Sequence, residues 1–115
     1  MIVLGPATRI FLAPGHTDLR RSFDGLYGLV QSQLAEDPKS GHLFVFCNKP
    51  KTRLKVLCFD GSGLWVCAKR LERGRFTWPG AEVGPKVRLC SEELALLLGG
   101  LELTKVSRQN WWRAE

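Results

Sequence analysis

The chain has 115 residues, 44% hydrophobic and 24% charged, an ordinary globular mixture at the size of one domain, which excludes a disordered or collagen-like polymer and two independent cores. No apolar run approaches the ~20 residues that cross a bilayer and no charged leader precedes one, so a soluble cytoplasmic protein with reduced thiols and no membrane partner is expected. The net charge is +6, and residues 49–75 supply all of it with eight basic side chains against two acidic ones, the other 88 residues carrying nine of each; the positive surface is local, and something acidic is its natural partner.

Residues 8–13 mix β-branched and apolar side chains before Pro14-Gly15 and predict a first strand and turn. Phe23, Leu26, Tyr27, Val30 and Leu34 then recur at helical spacing, predicting an amphipathic helix over 22–36. Asp18 or Ser22 would cap it and Asp37-Pro38 would end it, while Gly25 and Gly28 are unfavourable inside it. Residues 42–47 form a short apolar and aromatic run suited to a strand buried on both faces. Residues 53–59 and 64–70 flank Asp60-Gly61-Ser62-Gly63 and predict an antiparallel hairpin. Further strands are expected at about 74–78 and 87–90, separated by Pro79 and Gly80. Ser91 reads as the N-cap of a helix carrying Glu92 and Glu93 in its first turn and stopped by Gly99-Gly100.

The fold class that follows is α+β, a mostly antiparallel sheet of about five or six strands with one helix in the N-terminal half and one near the C-terminus. It forms a single domain over 1–115, compact over about 8–101. Residues 102–115 are expected to be a tail that is either loose or docked through Trp111 and Trp112.

In an extended segment Lys49, Lys51, Arg53 and Lys55 occupy alternate positions, so all four would project from one face. The hairpin return brings Lys69 and Arg70 back towards them, and Arg73, Arg75, Phe76 and Trp78 follow. Such a row can track a phosphate backbone, and an exposed Trp78 could stack on an unpaired base for ~1–3 kcal/mol. Arg20 and Arg21 at the start of the first helix form a second cationic region. The competing reading is a solvated face that keeps an edge strand from pairing, with Trp78 in the core.

His16, Asp18, Asp24 and Asp60 contain the ligand types of a magnesium site, but no motif binds them together. Asp18 and Asp24 suit a cap or an arginine pair and Asp60 suits a turn. Cys47, Cys58, Cys67 and Cys90 lie 11, 9 and 23 residues apart and lack the spacing of a zinc site. No nucleophile elbow, phosphate-binding glycine loop or dinucleotide fingerprint is present. No catalytic residue, metal ligand or cofactor is therefore assigned.

Several blocks, in order and spacing, resemble the small accessory protein encoded by the second open reading frame of IS66-family insertion sequences, often called TnpB. They are TDLRRSFDGL (17–26), SGHLFVF (40–46), KVL (55–57), DGSGLW (60–65), KRLERGRF (69–76) and WP (78–79), with a weaker block SEELALLLGGL (91–101). Phe59 stands where such proteins often have tryptophan or tyrosine, a conservative departure. The resemblance implies a non-catalytic bacterial protein that works beside a larger transposase and another accessory protein of the same element, and it carries over no site residue. Two functions are then expected to compete. One is binding of DNA or a DNA–transposase assembly through the basic hairpin and Arg20-Arg21. The other is an adaptor role in which Trp111, Trp112 and the helix at 94–98 recruit the transposase without touching DNA. A metal-dependent nuclease is a distant third.

Overall fold

The computed structural model describes residue 5, residues 7–99 and residues 113–114. Along the chain run β1 (Ile10–Leu12), α1 (Phe23–Ser32), β2 (Leu43–Cys47), β3 (Arg53–Phe59), β4 (Leu64–Arg70), β5 (Val87–Leu89), α2 (Ser91–Leu98) and β6 (Arg113–Ala114), with one 3₁₀ turn at Ala81–Val83. The strands form one sheet in the order β4-β3-β2-β1-β5-β6. Every residue of β1 and β2 is buried, as their unbroken apolar runs require once both faces of the sheet are covered. The helix α1 carries the chain from β1 back to the same end of the sheet, so β1 and β2 pair in parallel, while every other neighbouring pair is antiparallel. The expected α+β class holds, with this crossover as the addition.

Alternation along the strands divides the core in two. On one face Phe11, Phe44, Phe46 and Leu57 meet Leu26, Val30 and Leu34 from α1 and its C-terminal extension. On the other, Leu12, Val45, Leu54 and Val56 meet Phe76, Trp78 and the α2 residues Leu94 and Leu97.

Four local expectations are corrected. The first helix ends at Ser32 rather than 36, because the chain unwinds through Glu36 N–H to Val30 O and a left-handed Ala35 (φ 52°); Leu34 stays buried all the same. Ser22 stands at its N-cap without a capping side-chain bond, and Asp18 is turned to Arg20 instead. No strand forms at 74–78. The period-two spacing there is real, since Phe76 and Trp78 are both buried, but Phe76 N–H donates to Lys51 O at 2.7 Å and the segment covers the sheet instead of joining it. The α2 N-cap is Cys90, one residue earlier than expected, with the Glu93 carboxylate accepting the Cys90 N–H at 2.8 Å. Gly25 has a reason to stand in α1, because a Cβ there would lie 2.9 Å from that of Arg21. Trp111 and Trp112 lie outside the described residues, while Arg113 and Ala114, in the segment expected to be a tail, pair with β5.

A pH dependence follows from the face that α1 covers. His42 Nδ1 accepts the Arg9 N–H at 2.9 Å and its ring stands edge-on to Phe11. Burial, then the charges of Arg9 and Arg88, hold His42 below its ordinary 6.5 against the opposing pull of Glu36. The unfolded chain therefore binds the proton first as pH falls. The stability from this site is complete above 6.5 and is lost as pH drops through the lower folded value. Urea unfolding from about pH 8 down to about pH 5 is expected to show that decline, and His42→Asn is expected to flatten it.

Candidate nucleic-acid interface

The strand register sorts the basic side chains by face. Arg53 lies opposite Arg70 and Lys55 opposite Ala68, all on the face covered by α1, because Leu57, Leu64 and Val66 of the same alternation pack against that helix. Two like charges directly across a strand pair oppose folding by a few tenths of a kcal/mol. Lys55 Nζ donates to Arg21 O at 2.9 Å, tying the hairpin to the start of α1. Facing this wall, Arg20 grips the Asp18 carboxylate with Nε and Nη2, the latter at 2.6 Å, and the pair holds Asp18 down to about 2. The result is an open cleft of about 680 Å³ whose lining includes Asp18, Arg20, Asn48, Arg53, Lys55, Lys69, Arg70 and Glu72. Within it Arg20 is offset by Asp18 and Arg70 by Glu72 at 3.3 Å, so Arg53 and Lys55 supply unbalanced positive charge.

Other parts of the expected basic ribbon do not converge as one row. Lys49 and Lys51 precede β3 in a turn, exposed beside the cleft, and Lys51 adopts a left-handed φ of 63°. The turn is built by Asn48, whose Oδ1 accepts the N–H groups of Thr52 and Arg53. Sequence reading passed over Asn48, although asparagine before Lys-Pro-Lys is a turn signal. Lys69 projects from the opposite face and donates to Leu98 O at 2.5 Å, at the C-terminal end of α2, where a cation suits the helix dipole. Arg73 and Arg75 are exposed in the loop after β4, and Arg21 is exposed just before α1. Trp78 is 6% exposed and its indole N–H donates to Ala13 O at 3.0 Å, so it is a core residue and offers no face to a base.

The suspected metal ligands are dispersed in their commitments. Asp60 Oδ1 accepts from Ser62 and Gly63 and its Oδ2 from Trp65 Nε1 at 2.7 Å, bonds that close the hairpin and hold the carboxyl well below its usual range. Among the described residues no group of three or more His, Cys, Asp and Glu is placed to hold a metal ion. Burial pushes Cys47 up to about 12 and raises Cys58 and Cys90, the opposite of an activated thiol. A second, apolar groove of about 400 Å³ opens on the other face between α2 and the hairpin, lined by Leu43, Leu54, Val56, Cys67, Leu94 and Leu98.

Fold and site together define a small α+β domain whose most concentrated surface chemistry is a cationic cleft beside an edge hairpin. The chain belongs to the IS66 Orf2-like protein family, whose model matches residues 8–108, and it is thus an insertion-sequence accessory protein, a class that is generally non-catalytic. Two relatives from Sinorhizobium fredii strain NGR234, both described only as uncharacterized proteins, are similar over nearly their whole lengths. One is 41% identical over 89% of this chain and 88% of its own, the other 39% identical over 93% and 92%. No solved structure matches the chain. Among the described residues no helix is long and apolar enough to cross a membrane.

Proposed function

We propose that the protein assists transposition by gripping DNA, or the DNA within a transposase assembly, through the cleft formed by Arg53, Lys55, Arg70 and Arg20, with Lys49, Lys51, Arg73 and Arg75 extending the contact. The observation that supports this reading is the convergence of Arg20, Arg53, Lys55 and Arg70 on one cleft, with Arg53 and Arg70 in register across β3 and β4 and only Asp18 and Glu72 to offset them. A phosphate between Arg53 and Arg70 would take a charge-assisted bond from each, Arg70 exchanging its exposed Glu72 contact for it. With Trp78 buried, the contact reads phosphates rather than bases.

Fluorescence anisotropy with labelled element-end DNA and unrelated DNA across a salt series tests this. The expected result is binding whose log–log salt slope is about −4 to −5, the value for roughly four to six phosphate contacts, with less than about tenfold preference between sequences. Absence of binding at low salt would discard it in favour of an adaptor that seats a transposase segment in the apolar groove beside α2. In that case co-purification of the two proteins survives nuclease treatment.

A further inference from the structure

The edge strand β4 is seven residues long, contains no proline, and carries charge only at its last two positions, Lys69 and Arg70. Among the described residues nothing pairs with its outer side, since β4 ends the sheet. Edge strands are ordinarily kept from pairing by mid-strand charge, proline, bulges or shortness, and the stretch from Leu64 to Ala68 has none of these.

The hydrogen bonds reveal which backbone groups face outward. Asn48 N–H donates to Arg53 O, Leu71 N–H to Thr52 O and Asp60 N–H to Gly63 O. Since bonded pairs alternate along an antiparallel ladder, Leu54–Lys69, Val56–Cys67 and Cys58–Trp65 are the bonded pairs between β3 and β4. Leu64, Val66, Ala68 and Arg70 therefore turn their N–H and C=O groups to the open side.

We propose that this edge pairs with the β4 of a second copy of the chain, antiparallel about a two-fold axis at Cys67. That centre uses all seven residues. It sets Val66 opposite the partner's Ala68 and Leu64 opposite the partner's Arg70, so every outward backbone group finds its complement. Charge selects the direction. A parallel pairing would stack Lys69 and Arg70 on their own copies, whereas the antiparallel one moves them to opposite ends and lays each over an apolar residue, Arg70 against the partner's Leu64 and the aliphatic stem of Lys69 against the partner's Trp65. Trp65, 41% exposed although its indole N–H is anchored on Asp60, and the exposed thiol of Cys67 would both be covered. The pairing does not rest on the DNA reading, but it would put two cationic clefts on the same face of one continuous sheet.

Light scattering on the full chain under reducing conditions at about 100 µM, where even a modest pair is populated, is expected to give twice the chain mass of 12.9 kDa. Ala68→Pro removes an N–H that takes no part in the β3–β4 ladder, and is expected to yield a folded monomer. Independently of any folding effect of that variant, a Cys90→Ser protein treated with diamide, which takes up the two protons and two electrons of a thiol pair, is expected to form a Cys67–Cys67 disulfide dimer that Cys67→Ser abolishes. A monomeric mass, a dimer that a folded Ala68→Pro leaves intact, or failure of Cys67 to cross-link overturns the proposal.

Discussion

Replacing Arg53 and Arg70 together by alanine is expected to weaken DNA binding about 100-fold at low salt and to make the salt slope shallower by about 2, as loss of two phosphate contacts requires. The same variant is expected to be as stable as the parent or a few tenths of a kcal/mol more stable, because it removes like charges facing each other across a strand pair and gives up only an exposed Arg70–Glu72 bridge, a kind worth little. Opposite signs for the two quantities are informative, since a damaged fold would lower both. Lys69→Ala serves as the internal comparison. Its ammonium is directed to Leu98 O on the other face, so its loss is expected to destabilise α2 by up to about 1 kcal/mol while leaving the salt slope unchanged. Equal losses of DNA affinity in both variants would mean that the general positive field, and not the cleft, carries the binding.

That contrast between Arg53 and Lys69 marks the boundary of what was legible in the sequence. The hairpin was readable to the residue because two β-rich runs flank Asp-Gly-Ser-Gly, and local turn chemistry decides such a structure. The buried strand β2 was readable from its unbroken apolar run. The division of cations between faces was not. Alternation along 49–55 is visible in the letters, but Asn48 folds the first half of it into a turn, and only the register tells that Arg53 meets Arg70 while Lys69 lies over Leu54. The segment from 74 to 78 misled for a related reason. Burial at every second residue looks the same whether a chain joins a sheet or lies across its face, and the difference is where its backbone hydrogen bonds go. The Arg20–Asp18 pair was legible as one of the two roles open to Asp18, but not that it would wall a cleft with Arg53 and Arg70.

Trp78 shows how a stability effect and a binding effect would be confused without the structure. Its indole fills the layer between the sheet and the loop after β4, beside Phe76, and its N–H satisfies the Ala13 carbonyl. Trp78→Ala is expected to cost about 3–5 kcal/mol through the lost burial and the cavity, with up to a further ~1–3 kcal/mol if the carbonyl is left unpaired. Against a typical total of about 5–15 kcal/mol, this unfolds a large fraction of the molecules near body temperature. Thermal unfolding is expected to shift down by roughly 10–25 °C. Any loss of DNA affinity in this variant at high temperature is then a loss of folded protein, and it should vanish when binding is measured well below the lowered transition. Trp78→Phe, which keeps most of the volume and gives up the N–H, is expected to melt at an intermediate temperature and to bind DNA with the parent salt slope. The opposite pattern, an unchanged melting temperature with weaker binding of single-stranded DNA in Trp78→Ala, would mean that the indole leaves the core to stack on a base.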